Sequence, residues 1–278
     1  MTRVGPVLLV LASVSWTSGV SPPPPTRFLA DRGEWVARQA DGRDVGRDAR
    51  SALRMRLYDR RGRVRERRLE MLRLEAPVAG RKPEGAGDRL LVRFTYPDDI
   101  RGTGLLVWQR PGGEDERFLY LPSLGRVRRI AGVEAQESFA GSDFTHEDIG
   151  GRELDDYRYT LLDEAAAWTA PDGRRRPAYR LESRRKDASA RYPRVVSLVL
   201  ADSFVVVRAD IHNRRDEPEK TYEVRRLERV DGIWTVLDAA MANQLDRTRT
   251  ELQVETIDYN VGLTAADLSR SELERGGR

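Results

Sequence analysis

"ALRMRLYDRRGRVRERRLEMLRLE", residues 52–75, decides what kind of fold this chain adopts. Leu53, Met55 and Leu57 alternate with Arg54, Arg56 and Tyr58. The stretch from Asp59 to Gly62 then interrupts, and Leu69 and Met71 resume the alternation. Successive side chains of a strand point to opposite faces, so a period of two gives one oily face and one charged face. The segment predicts an antiparallel hairpin closed by a tight turn.

The same rhythm runs along most of the chain. RLLVRFTYP (89–97) alternates Leu90, Val92 and Phe94 against Leu91, Arg93 and Thr95. GLLVWQR and RFLYLP (104–122) flank PGGED, where Gly112 and Gly113 supply the positive φ of a hairpin turn. Further strands are expected in YRYTLLDE, RPAYRLESRRK, RYPRVVSLVLAD, SFVVVRADIHN, KTYEVRRLERV, GIWTVLDAAMANQL and RTRTELQVETIDYN. No βα rhythm interrupts them, which disfavours a parallel doubly wound sheet. The one convincing long helix is RFLADRGEWVARQA (27–40), where Phe28, Leu29, Trp35 and Val36 recur at helical spacing.

An antiparallel sheet with an apolar face has to cover it. A sheet of about ten strands facing one long helix is expected to curl around that helix as a half-closed barrel. The predicted fold is therefore mainly β: a large curved antiparallel sheet forming an unclosed barrel, with the N-terminal helix and short helices on its concave face. Periodicity alone leaves open whether the interior is packed core or a cavity for a greasy ligand, and which strand parity faces inward.

The chain has 278 residues and no cysteine, which excludes disulfides, thiolate metal sites and thiol nucleophiles. It opens with Arg3, an apolar run from Val4 to about Val14 and then small residues, the layout of a secretory signal peptide. PPPP at 22–25 follows and would stop any helix. The expected organisation is a signal peptide over 1–21, a proline-rich spacer over 22–27, and one domain over 28–278. Without a cysteine at the junction the exported chain cannot be acylated there, so a periplasmic location is expected.

Lys+Arg total 49 against 45 Asp+Glu, and the two signs are interleaved as in RRGRVRERRLE. Nucleic-acid binders concentrate positive charge on one face, so this pattern reads as solvated strand faces. RVRRI (126–130) is a candidate anion site, but adjacent Arg128 and Arg129 must point to opposite faces of a strand. In PDDIRGTG, Asp98, Asp99, Arg101 and Gly102 read as a polar turn.

GSDFTHEDIGG (141–151) carries His146, one of two histidines, beside Asp143, Glu147 and Asp148. A zinc site needs at least three well-placed ligands with a supporting shell, and the other histidine is the distant His212. No GxSxG, HExxH, Walker or GxGxxG pattern is present, so no metal, cofactor or catalytic residue is expected. The motif reads instead as a turn: Gly141 and Gly150-Gly151 bend the chain, Ser142 and Asp143 cap free N–H groups, and Phe139 and Phe144 anchor it.

Four stretches in order, RFTYPDDIRGTGLLVW (93–108), RFLYLPSLGRVRRIAG (117–132), SFAGSDFTHEDI (138–149) and RYPRVVSLVLADSFVVVRADIHN (191–213), resemble the outer membrane lipoprotein-sorting proteins of the LolA-like superfamily. The positions that carry the resemblance are Arg101, Gly102, Tyr120, Leu121, Pro122, Arg129, Gly141, Ser142, Asp143, Phe144 and Asp148. The resemblance implies a non-enzymatic periplasmic carrier that shelters lipoprotein acyl chains or another lipid. It implies a monomer that touches membranes transiently and works with an inner-membrane transporter. The alternative is an accessory of an RND/MMPL-type transporter without its own cargo. Expected lining residues are Phe28 and Trp35 from the helix, and Leu53, Met55, Leu57, Met71, Val92 and Phe94 from the first strands. Trp108, Phe118 and Tyr120 are added from the next hairpin, and Val196, Leu198 and Leu200 from a later strand.

Overall fold

The computed structural model describes residues 29–76, 87–110, 115–187 and 189–275. The expected signal peptide and spacer, Phe28 and the Gly112-Gly113 turn lie outside the described residues. Helix α1 (Leu29–Asp41) precedes β1 (Asp48–Tyr58), β2 (Val64–Leu74), β3 (Arg89–Tyr96), β4 (Gly104–Trp108), β5 (Glu116–Leu121) and β6 (Arg126–Ile130). A single helical turn, α2 (His146–Gly150), leads to β7 (Tyr157–Thr169), β8 (Arg175–Arg185), β9 (Arg194–Leu200) and β10 (Val206–His212). Then come β11 (Pro218–Val230), β12 (Ile233–Asn243), β13 (Thr248–Tyr259) and α3 (Arg270–Arg275). The strand order is β6-β5-β4-β3-β2-β1-β13-β12-β11-β10-β9-β8-β7; β6 and β7 are its ends, so the sheet does not close. The chain is mainly β with few helices, as the period-two reading requires.

The described residues form two compact units, one of 45–150 with 250–275 and one of 29–44 with 151–249. In the first, the β1–β2 hairpin pairs Leu53 with Leu69, and Leu69 in turn pairs with Phe94. Phe139 stacks on Phe94 at 5.4 Å, so the 139–150 segment packs against this face. The opposite face carries the row Leu72, Leu91, Leu106 and Phe118, in register across four strands. Leu268 and Leu273 of the C-terminal segment seal that row. Trp108 donates its indole N–H to the Leu268 carbonyl at 2.9 Å, and Arg93 donates to the Glu272 carbonyl at 2.6 Å. Both faces of this part of the sheet are therefore covered, and the C-terminal cover is an element that helical periodicity did not reveal.

In the second unit α1 lies on β7 and β8. Gly33 makes that approach possible: a Cβ there would sit 2.8 Å from the Leu161 amide nitrogen and 2.9 Å from that of Thr160. Val36, Ala37 and Ala40 pack with Leu154, Leu161, Leu181 and Val199. Trp35 meets Phe204 edge-on at 5.5 Å and Tyr179 at 6.1 Å. The other face of β8–β11 is charged: Glu182 accepts from Arg194 at 2.6 Å and from Arg184 at 2.8 Å, and Arg208 donates to Asp210 at 2.9 Å.

Candidate functional site

Beneath α1 lies a cavity of about 30 Å³. Ala37 and Ala40 form its roof, and Leu154, Tyr157, Tyr159, Leu181, Val195, Val199 and Val206 its apolar walls. Arg152, Ser183 and Ser197 add polar atoms. The register explains the set, since Tyr159 pairs with Ser183 and Ser183 with Val195, while Leu161 pairs with Leu181 and Leu181 with Ser197. The Tyr159 hydroxyl donates to the Leu154 carbonyl at 3.2 Å, and burial raises its pKa, so the phenol stays neutral. A space of this size holds about one water molecule. α1 is seated on it with its apolar face inward.

The expected lining residues separate into four groups. Trp35 stands beside this cavity, packed against the same cluster. Val196, Leu198 and Leu200 alternate with the cavity-lining Val195, Ser197 and Val199, so they belong to the other face of β9. Val196 pairs there with Glu182 and Asp210, and Leu198 with Arg180 and Arg208. Leu53, Met55, Leu57, Met71, Val92 and Phe94 belong to the first unit, on the face that Phe139 covers. Phe118, Tyr120 and Trp108 lie on the opposite face of that same sheet region, under Leu268 and Leu273. One parity cannot serve all of them.

Sequence reasoning missed Val195, Ser197 and Val199 because RVVSLVL is apolar on both faces. A signal existed in the neighbouring strand. YRLESRR of β8 alternates Tyr179, Leu181 and Ser183 against Arg180, Glu182 and Arg184, and pairing carries that parity across to β9.

The polar side chains of the 141–151 segment hold its own backbone and tie it to β13. The Thr250 hydroxyl donates to the Asp143 carboxylate at 2.7 Å and accepts from the Asp143 N–H at 3.0 Å. Asp148 accepts the Thr145 N–H at 2.9 Å, and Thr145 Oγ1 accepts the Asp148 N–H at 3.0 Å, a capping box on α2. Thr145 and Asp148 thus cap α2 reciprocally. His146 is buried edge-on against Phe139 at 5.6 Å, with Nδ1 unpaired. Burial first, then the guanidiniums of Arg128 and Arg117, lower its pKa to about 4. Among the described residues no group of three or more His, Cys, Asp or Glu side chains is placed to hold a metal ion. Gly141 has φ +70°, and a Cβ on Gly150 would meet Val107 at 2.9 Å, which accounts for both glycines. Arg101 pairs with the carboxylate of Asp98, Gly102 turns at φ +79°, and Pro122 opens a short turn after Leu121. Arg129, like Arg128, is exposed on the edge strand β6.

A long unclosed antiparallel sheet with a helix seated on it is a LolA-like fold. A LolA superfamily protein from Nitrosomonas europaea shares that fold at 17% identity and TM-score 0.64, over 86% of this chain and 98% of its own. A DUF1329 family protein from Desulfovibrio piger is 29% identical with TM-score 0.77, covering 88% of this chain and 99% of its own. A protein described as an outer membrane lipoprotein-sorting protein domain, from Vibrio parahaemolyticus, is 27% identical with TM-score 0.77, over 88% and 100%. Residues 86–275 match a family model described as "-like: Uncharacterized protein". The chain belongs to that family, and its fold is LolA-like. No curated protein matches it.

Proposed function

We propose that this chain is a non-enzymatic periplasmic carrier that hides the acyl chains of a lipoprotein or another lipid beneath α1. The observation that carries this reading is the apolar cavity in the second unit, roofed by a helix that packs Trp35, Val36, Ala37 and Ala40 against the same cluster. A lipid in water must bury its chains, at about 0.8 kcal/mol per CH₂, so roughly 15 methylenes gain about 12 kcal/mol. Lifting the apolar face of α1 costs about 5 kcal/mol on the same kind of accounting. An acyl chain therefore outcompetes the helix for this surface, and its binding is expected to lift α1 from the 30 Å³ cavity. Release would occur at a membrane transporter that binds the closed form, and the carrier would act as a monomer. Similarity to a protein described as an outer membrane lipoprotein-sorting protein domain supports the choice of cargo class.

The small volume favours a second reading, in which the interior is permanently packed and the chain is an accessory subunit of an RND/MMPL-type transporter. Native mass spectrometry of the purified protein, together with titration by a fluorescent fatty acid, separates the two. The carrier reading requires copurifying lipid or saturable probe binding. It also requires that Ser197→Phe, which fills the cavity, abolish binding while leaving the circular dichroism spectrum unchanged. Absence of both lipid and probe binding in the unaltered protein would sink it.

A further inference from the structure

A second concavity in the same unit is far larger than the one under α1. It has a volume of about 800 Å³ and is built from the ends of β7, β8, β11 and β12. In the order β12-β11-β10-β9-β8-β7, the β7–β8, β9–β10 and β11–β12 turns all fall at one end of the strands. Each contributes to the groove: Ala170–Arg174, Asp202, and the strand ends beside Gly232.

Two tryptophans, Trp168 and Trp234, stand in its walls, and five arginines face three carboxylates. The acids each engage an arginine: Asp172 with Arg174 at 2.6 Å, Asp202 with Arg176 at 2.7 Å, and Glu228 with Arg226 at 2.7 Å. Subtracting three from five leaves a surplus of two positive charges on the lining. Arg176 and Arg229 also lie over the Trp234 ring, 4.6 Å and 5.0 Å from its centroid, which holds their planes beside the indole. Arg175 and Arg226 are exposed.

We infer that this end of the sheet is a docking surface for the phosphate headgroups of an anionic bilayer. A compact site for one small anion needs donors that converge out of water, whereas the Arg174–Asp172 and Arg226–Glu228 pairs are about half exposed or more. Charge alone would fit an acidic peptide equally well. Trp234 decides for the membrane: its half-buried indole, set among arginines whose stems cover apolar surface, suits the boundary between headgroups and acyl chains, while Trp168 is buried in the wall. Basic side chains near an anionic surface contribute about 1 kcal/mol each. The surface serves a carrier and a cargo-free accessory alike, so the inference stands apart from the reading of the α1 cavity.

The test is cosedimentation of the purified chain with vesicles of phosphatidylcholine alone or mixed with phosphatidylglycerol, at low and high salt. Binding is expected only to the mixed vesicles and is expected to weaken with salt. The double variant Arg175→Glu, Arg226→Glu should reduce it at least about tenfold. The same charge change at the exposed Arg60 and Arg61 of the β1–β2 turn should not. Brominated lipid should quench tryptophan emission, and Trp234→Phe should remove much of that quenching. Equal binding to neutral vesicles, or an equal loss in the Arg60 and Arg61 variant, would overturn the inference. So would displacement of the vesicles by inorganic phosphate, or by poly-glutamate, at matched charge concentration; these would mark a small-anion site or an acidic-peptide site instead.

Discussion

His146 is a base kept dry against Phe139, and that burial ties its protonation to the stability of the fold. Folding lowers its pKa from 6.5 to about 4, so the native protein resists a proton that the unfolded chain accepts. Its neutral form supports the fold above pH 6.5, and that support is lost as pH falls from 6.5 toward 4. Between about pH 7 and about pH 5 the expected loss from this residue is about 2 kcal/mol. Urea midpoints at those two pH values should therefore fall in the unaltered protein by more than in His146→Gln, which has no proton to gain. Identical slopes would show that His146 does not titrate on unfolding. At this scale the sequence offered His146 beside three carboxylates without saying where each one points. Thr250, 107 positions further along the chain from Asp143, is the partner that binds its carboxylate.

Elements were legible wherever one face is charged and the other oily. The β1–β2 hairpin could be read because arginines mark its outer parity for most of its length. β9 could not, because its own residues are apolar on both sides and only pairing with β8 orients it. α1 was legible as amphipathic, but nothing in its period says that Gly33 must meet a strand backbone. Gly33→Ala tests that contact. Alanine gains about 1 kcal/mol in helix propensity, while its methyl is forced to within 2.9 Å of backbone atoms that cannot rotate away. Overpacking of this kind costs about 1–3 kcal/mol, so a net loss in thermal midpoint is expected. A rise in the midpoint would mean that α1 does not sit this closely on β7. The C-terminal cover was invisible for the opposite reason: Leu263, Leu268 and Leu273 recur every five residues, which matches neither a helix nor a strand.

At the scale of the molecule, the two compact units make different predictions for a loaded carrier. A ligand held at 100 times its dissociation constant stabilises the native state by about 2.7 kcal/mol. Hydrogen exchange with and without a bound fatty acid should therefore change in α1 and β7–β10. It should not change in the Leu72, Leu91, Leu106 and Phe118 layer, which the C-terminal segment already seals. Protection appearing in that layer would place the cargo elsewhere.

By itself the sequence determined that the chain is mainly β, antiparallel and meandering, that one amphipathic helix precedes the strands, and that it resembles the lipoprotein-sorting group. These follow from local periodicity and short motifs, which depend on neighbours a few residues apart. Tertiary structure alone decided which parity of β9 faces α1, and that the expected lining residues fall on separate surfaces. It also decided that Trp168 and Trp234, some 66 positions apart, share a basic groove. The reason is physical: a strand that is apolar on both sides has no preferred face until its hydrogen-bonded neighbour supplies one, and a groove formed by several turns exists only once those turns are brought to the same end of the sheet.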